Sequence, residues 1–133
     1  MDELHSDAWE SSYGRRESFC FWPSDEVVRF VSRFLRKRVG WDEVVDVAPC
    51  TKGSRALDVG CGIGRHLLFG SSMGLEMYGV DLSQTAVDLA KDVLRKTPGA
   101  HSSDDHVYCG DIRSLPWSDG FFDHALSDSV LEA

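Results

Sequence analysis

The 133-residue sequence contains no apolar run approaching the ~20 residues that a membrane span requires. Its first ten residues are acidic and polar, not a basic stretch followed by an apolar one, so no secretory signal is expected to open the chain. Basic charge is scarce: 14 Lys and Arg stand against 22 Asp and Glu, a formal net charge of −8. So acidic a chain lacks the cations that displace counterions from duplex nucleic acid or that seek anionic lipid, which excludes nucleic acid and membrane as expected partners. The four cysteines, Cys20, Cys50, Cys61 and Cys109, form no C-x-x-C pair. That absence disfavours a zinc ribbon or a thioredoxin-like site, and Cys61 with His66 has no companion pair to complete a metal site. Free thiols without a secretory signal point to a reducing, cytoplasmic setting.

What is present is ordinary globular composition, 42% hydrophobic and 27% charged, sufficient for one domain. Residues 1–22 lack periodicity but hold Trp9, Tyr13, Phe19, Phe21 and Trp22, so an N-terminal aromatic arm is expected to fold over a body formed by 23–133. Ser24 suits a helix N-cap, with Asp25 and Glu26 in the first turn, where the helix dipole favours negative charge. Val27, Val31, Phe34 and Leu35 then make one apolar face. Arg36, Lys37 and Arg38 are expected to close this helix before Gly40, and together with Arg29 and Arg33 to form its exposed face.

From Arg55 the pattern alternates. Strands are expected at Arg55–Val59, Glu76–Val80, His106–Cys109 and Phe121–Ser127. Helices are expected from about Arg65 to Met73, stopped by Gly74, and from a Ser83 cap to Pro98 and Gly99. Such alternation means βαβ units and a parallel sheet. Ligands of open parallel sheets bind beyond the carboxyl ends of the strands. Four polar features fall at four such ends: the glycine loop, Asp81, Asp111, and Ser127 with Asp128.

The loop reads Asp58-Val59-Gly60-Cys61-Gly62-Ile63-Gly64. A dinucleotide fingerprint, G-x-G-x-x-G, requires its third glycine where Arg65 stands, and Asp58 would repel a pyrophosphate. A carboxylate beside the loop instead favours a cationic group such as an ammonium. Asp81 can accept both hydroxyls of a ribose, and Asp111 can accept from an exocyclic amine. The ligand so outlined has an amino group, a free ribose and an amine-bearing base, with no phosphate.

On these residues the sequence resembles the class I S-adenosylmethionine-dependent methyltransferases of the small-molecule, methyltransferase-domain type. LDVGCGIGRH looks like the family's first motif, YGVDLSQTAV its second, CGDIRSLPW its third and FFDHALSDSVLEA its fourth. The resemblance implies an α/β, Rossmann-like parallel sheet of order 3-2-1-4 with helices on both faces. It implies S-adenosylmethionine as cofactor, S-adenosylhomocysteine as product, and a small-molecule acceptor. It places Gly60, Cys61, Gly62 and Gly64 at the methionine part with Asp58 supporting them, Asp81 on the ribose, Leu82 near the adenine, Asp111 and Ile112 at the adenine, and Ser127 near the methionyl end.

Two departures stand out. Ala133 occupies a position where many members have His, and later strands of the fold are absent, so a truncated domain is expected, or a second copy covering the edge of the fourth strand. Arg15, Arg16, Phe19 or Trp22 could close over the cofactor, and Asp128 and Tyr13 are the candidate bases. The alternative function is a non-catalytic cofactor-binding module or a subunit of an assembly. A nicotinamide-dependent oxidoreductase is disfavoured by Arg65 and Asp58.

Overall fold

The computed structural model describes residues 20–100 and 104–128. The expectations placed on Tyr13, Arg15, Arg16, Phe19, most of the arm, and the segment from Ser129 to Ala133 lie outside them. Helix α1 spans Asp25–Phe34, and Ser24 caps it through its hydroxyl, which accepts the Val27 N–H at 3.3 Å. Val27, Val31 and the following Leu35 are buried.

The helix stops earlier than its basic end suggested. Leu35 leaves helical geometry, and Arg36–Arg38 form a short strand, β1, paired antiparallel with β2 at Val44–Asp46. The cause is Arg36, which is not on an exposed helix face but only 6% exposed. Its Nε donates to the Met73 carbonyl at 2.8 Å, and its guanidinium pairs with the Asp46 carboxylate. A buried guanidinium must be met by acceptors on several sides, and the hairpin supplies one of them.

The main sheet has four parallel strands in the order β5–β4–β3–β6. These are β3 at Arg55–Val59, β4 at Glu76–Asp81, β5 at Val107–Cys109 and β6 at His124–Ser127. In order of appearance within this sheet that is 3-2-1-4. Side chains alternate between two faces. Ala56, Met77 and Val107 join a core built with α1, with α2 at Arg65–Ser72 and with α3 at Gln84–Lys96. Leu57, Tyr78 and Val80 face the other way, under Leu115, Trp117, Phe121 and Phe122. The three α-helices of the described residues thus feed one core. The second core contains no helical residue among those described, and the aromatic segment 115–122 covers it instead.

That segment also explains why β6 begins at His124 and not at Phe121. Phe121 and Phe122 turn edge-on to Tyr78, with ring centroids 5.2 and 5.3 Å from it. They pack as aromatic neighbours rather than pairing as strand. His106 ends a 3-10 turn, so β5 starts one residue later than expected.

Candidate cofactor site

The glycine loop leaves β3 and is sewn to the end of β4. Gly60 and Cys61 both donate to the Val80 carbonyl, at 2.8 and 3.0 Å. Gly62 donates to Asp81 Oδ2 at 2.9 Å, and Ser83 donates to Oδ1 at 2.9 Å. Each such bond to a carboxylate contributes about 1.5–3 kcal/mol. Gly60, Gly62 and Gly64 all take positive φ, of 75°, 55° and 98°. Gly64 is the N-cap of α2, and a Cβ there would lie 3.3 Å from the backbone of Ala90 on α3, so both conformation and close packing require glycine.

Register brings the other expected positions to the same rim. Val59 pairs with Val80 on one side and with Ser127 on the other, while Asp81 pairs with Cys109. Gly110 donates to the Asp81 carbonyl at 2.9 Å, which sets Asp111 beside the same strand end. Asp111 is engaged by Arg113, through its backbone N–H at 2.8 Å and its guanidinium at 3.0 and 2.6 Å. Those hydrogen bonds hold its carboxyl well below the usual carboxylate range. Leu82 is half-buried, and its carbonyl accepts from the Cys109 thiol at 3.6 Å; Ile112 and Ser127 are exposed.

Asp58 lies deeper than the rest, 1% exposed at the base of the loop. Burial, reinforced by repulsion from Asp128 and Asp81 and opposed by Arg65, raises its pKa to about 8. Its Oδ2 has no hydrogen-bond partner among the described residues. The Cys61 thiol is pushed up by burial and by Asp58 and Asp81, so it is a packing group rather than a thiolate. His66 is 5% exposed, and burial followed by Arg65 lowers its pKa to about 4.

In the sequence Arg65 figures only as the residue that stands where a dinucleotide fingerprint needs its third glycine. The structure turns it outward: it reaches Asp128 at 3.2 Å and the Trp22 carbonyl at 3.4 Å. Trp22 itself is 80% exposed. His66 was passed over as a ligand-side residue. Its sequence signal was its place on the first turn of the helix that leaves the glycine loop. Asp123, at the amino end of β6, accepts the Arg55 N–H at 2.9 Å, far along the strand from this rim.

Residues 57–133 match the family described as "Methyltransferase domain". The chain is 33% identical over 127 residues to a 24-methylenesterol C-methyltransferase 2 of Oryza sativa subsp. japonica, covering 93% of this chain and 32% of that protein. The chain spans about a third or less of the length of the curated relatives it matches. Its fold is similar to that of a solved structure described as "Conversion of a Disulfide Bond into a Thioacetal Group during Echinomycin Biosynthesis", with TM-score 0.62, 20% identity, and coverage of 95% of this chain and 48% of that one. It is also similar to a Haemonchus contortus phosphoethanolamine N-methyltransferase 2 solved with S-adenosyl-L-methionine, with TM-score 0.50, 24% identity, and coverage of 77% and 20%. The four motifs, the parallel sheet and the matched span agree, and the chain belongs to the methyltransferase domain family of class I S-adenosylmethionine-dependent enzymes.

Proposed function

We propose that this rim binds S-adenosylmethionine and that the protein transfers the cofactor's methyl group to a small-molecule acceptor. The observation that carries the reading is Asp58 Oδ2, a buried carboxyl oxygen without a hydrogen-bond partner among the described residues, at the base of a loop of positive-φ glycines. An unsatisfied buried polar atom is costly, and a ligand ammonium is the chemistry that relieves it; a phosphate there would worsen it. The residues present therefore fit this cofactor and fit a pyrophosphate poorly.

When bound, S-adenosylmethionine supplies an electrophilic methyl group on a sulfonium. The chain's own groups bind and orient. Asp81 accepts the Gly62 and Ser83 N–H groups on its two carboxylate oxygens and is the acceptor for the ribose hydroxyls. Asp111 is the acceptor for the base's amine, with Leu82 and Ile112 as its apolar flanks. Gly60, Cys61, Gly62 and Gly64 present backbone to the methionyl arm, and Ser127 stands across from them on β6. Alignment of the reactants is the main contribution expected of such a site, worth up to ~7–11 kcal/mol.

We place the protein in the cytoplasm on the strength of its free cysteines. No helix of the described residues is long and apolar enough to cross a membrane. The test is calorimetry of the full-length protein with S-adenosylhomocysteine and with reduced nicotinamide dinucleotide. Binding of the first and not the second is expected. Binding of neither, or of the dinucleotide alone, overturns the reading. Binding without turnover across a panel of acceptors would instead identify a non-catalytic module.

A further inference from the structure

His66 is buried, polar and unused by the reading above. Its Nε2 accepts the backbone N–H of Ser24, the cap of α1, at 3.2 Å. A neutral ring accepting at Nε2 carries its proton on Nδ1, and Nδ1 lies 3.8 Å from Asp58 Oδ2, the oxygen without a hydrogen-bond partner. A closing of about 1 Å makes that approach a hydrogen bond. The preceding residue, Arg65, binds the Trp22 carbonyl on one side and the Asp128 carboxylate on the other. The first two residues of α2 therefore fasten residues 22–24 to the glycine loop and reach its acid at the same time.

We infer that His66 is a positioning residue for the ammonium of the ligand: one ring nitrogen sets Asp58 while the other anchors the start of α1, so that a cation at Asp58 and the docking of residues 22–24 reinforce each other. The inference rests on the cofactor reading above. Its physical basis is polarisation. A cation beside Asp58 favours the ionised carboxylate, which draws on Nδ1–H more strongly. The ring's Nε2 then becomes the better acceptor for Ser24. A carboxylate–histidine pair of this kind orients the ring and raises its basicity, and loss of such a supporting partner at a binding site costs about 10- to 100-fold in affinity in metal sites. His66 is not a general base in this role, because it is buried and both nitrogens face protein groups. Among the described residues no cluster of three His, Cys, Asp or Glu could hold a metal.

The test compares wild type with His66→Asn, His66→Gln and His66→Ala. The asparagine keeps an N–H near the Nδ1 position, and the glutamine keeps an acceptor near Nε2. Each is titrated calorimetrically with S-adenosylhomocysteine, which carries the ammonium, and with 5′-methylthioadenosine, the same nucleoside without the amino-acid arm. Hydrogen exchange of the Ser24 amide is followed in parallel. For wild type, S-adenosylhomocysteine should slow Ser24 exchange and methylthioadenosine should not.

His66→Ala and His66→Gln should lose about tenfold in S-adenosylhomocysteine affinity while keeping methylthioadenosine within about twofold. His66→Asn should keep both affinities but lose the Ser24 protection. Equal losses for both ligands, or unchanged S-adenosylhomocysteine binding in His66→Ala, would overturn the positioning role and leave the cofactor reading standing. Failure of wild type to bind either ligand would overturn the cofactor reading itself. If His66→Ala does not fold, the Asn and Gln variants still decide the question.

Discussion

Gly62 donates its N–H to the carboxylate of Asp81 at 2.9 Å, across 19 residues of sequence. The contact joins the glycine loop to the end of the neighbouring strand, so the acid that faces the ribose in our reading also shapes the loop that faces the methionyl arm.

Asp81→Asn should therefore weaken both parts of the site. The neutral amide forfeits the charge on two hydrogen bonds, each worth about 1.5–3 kcal/mol. We expect S-adenosylhomocysteine affinity to fall at least about tenfold and the melting temperature to drop by several degrees, read by calorimetry and thermal unfolding. Unchanged binding would remove Asp81 from the ribose.

The pH dependence of stability follows from two opposed groups. Asp58, buried near Asp128 and Asp81, holds its proton in the folded state up to about pH 8, whereas the unfolded chain releases it near 4. Its contribution is therefore lost as pH climbs from about 4 to 8. His66 is neutral when folded down to about pH 4, while unfolded histidine takes a proton near 6.5. Its contribution is lost as pH falls through that interval. Between about 4 and 6.5 the two proton counts cancel, and from 6.5 to 8 only Asp58 acts. Denaturant unfolding should show stability nearly level to pH 6.5 and then falling, by about 2 kcal/mol at most. Asp58→Asn should abolish the fall and raise neutral-pH stability while weakening S-adenosylhomocysteine binding. A rise in wild-type stability from pH 6.5 to 8 would contradict the assignment.

Gly79→Ala tests the packing beneath the loop. A Cβ at Gly79 would stand 2.8 Å from Cys61 Sγ and 2.9 Å from Cys61 Cβ. Overpacking of this kind costs about 1–3 kcal/mol, and the atoms displaced belong to the loop. Stability and ligand affinity should fall together. Gly99→Ala is the comparison: φ is 80° but nothing lies within 4 Å, so strain costs about 1 kcal/mol and binding should not change.

Arg36→Ala should cost about 1–3 kcal/mol, because it leaves the buried Met73 carbonyl without its partner, while the half-exposed Asp46 carboxylate is met by water. Arg38→Ala, on the same strand but exposed, should change stability by less than about 0.5 kcal/mol. Chemical denaturation of the two variants checks both values.

The central sheet was legible because its signals are local. Arg55–Val59 is a short run that leads straight into glycines, and Ser83 precedes an apolar stripe, so β3 and the cap of α3 fall where expected. The β1–β2 hairpin was not legible. Arg36, Lys37 and Arg38 satisfy every local rule for a helix end, and only the burial of Arg36 against Met73 and Asp46, 37 and 10 residues away, takes them out of the helix. The rim positions Gly62, Asp81 and Asp111 were readable because parallel strands must end together. His66 was not, since its meaning depends on Ser24, 42 residues earlier, meeting its ring. Likewise Phe121 and Phe122 look like the start of a strand until Tyr78 is seen beneath them.

The position of β3 has a bearing on biosynthesis. Its two neighbours are β4, close behind it, and β6, whose His124 pairs with Ala56 from 68 residues downstream. As the ribosome releases the chain, the central strand must wait with one flank unzipped until β6 emerges. Contacts of such long sequence separation form slowly. The nascent polypeptide therefore carries an adhesive border from the emergence of β4 to that of β6, and chaperone demand should peak before residue 124 has left the exit tunnel.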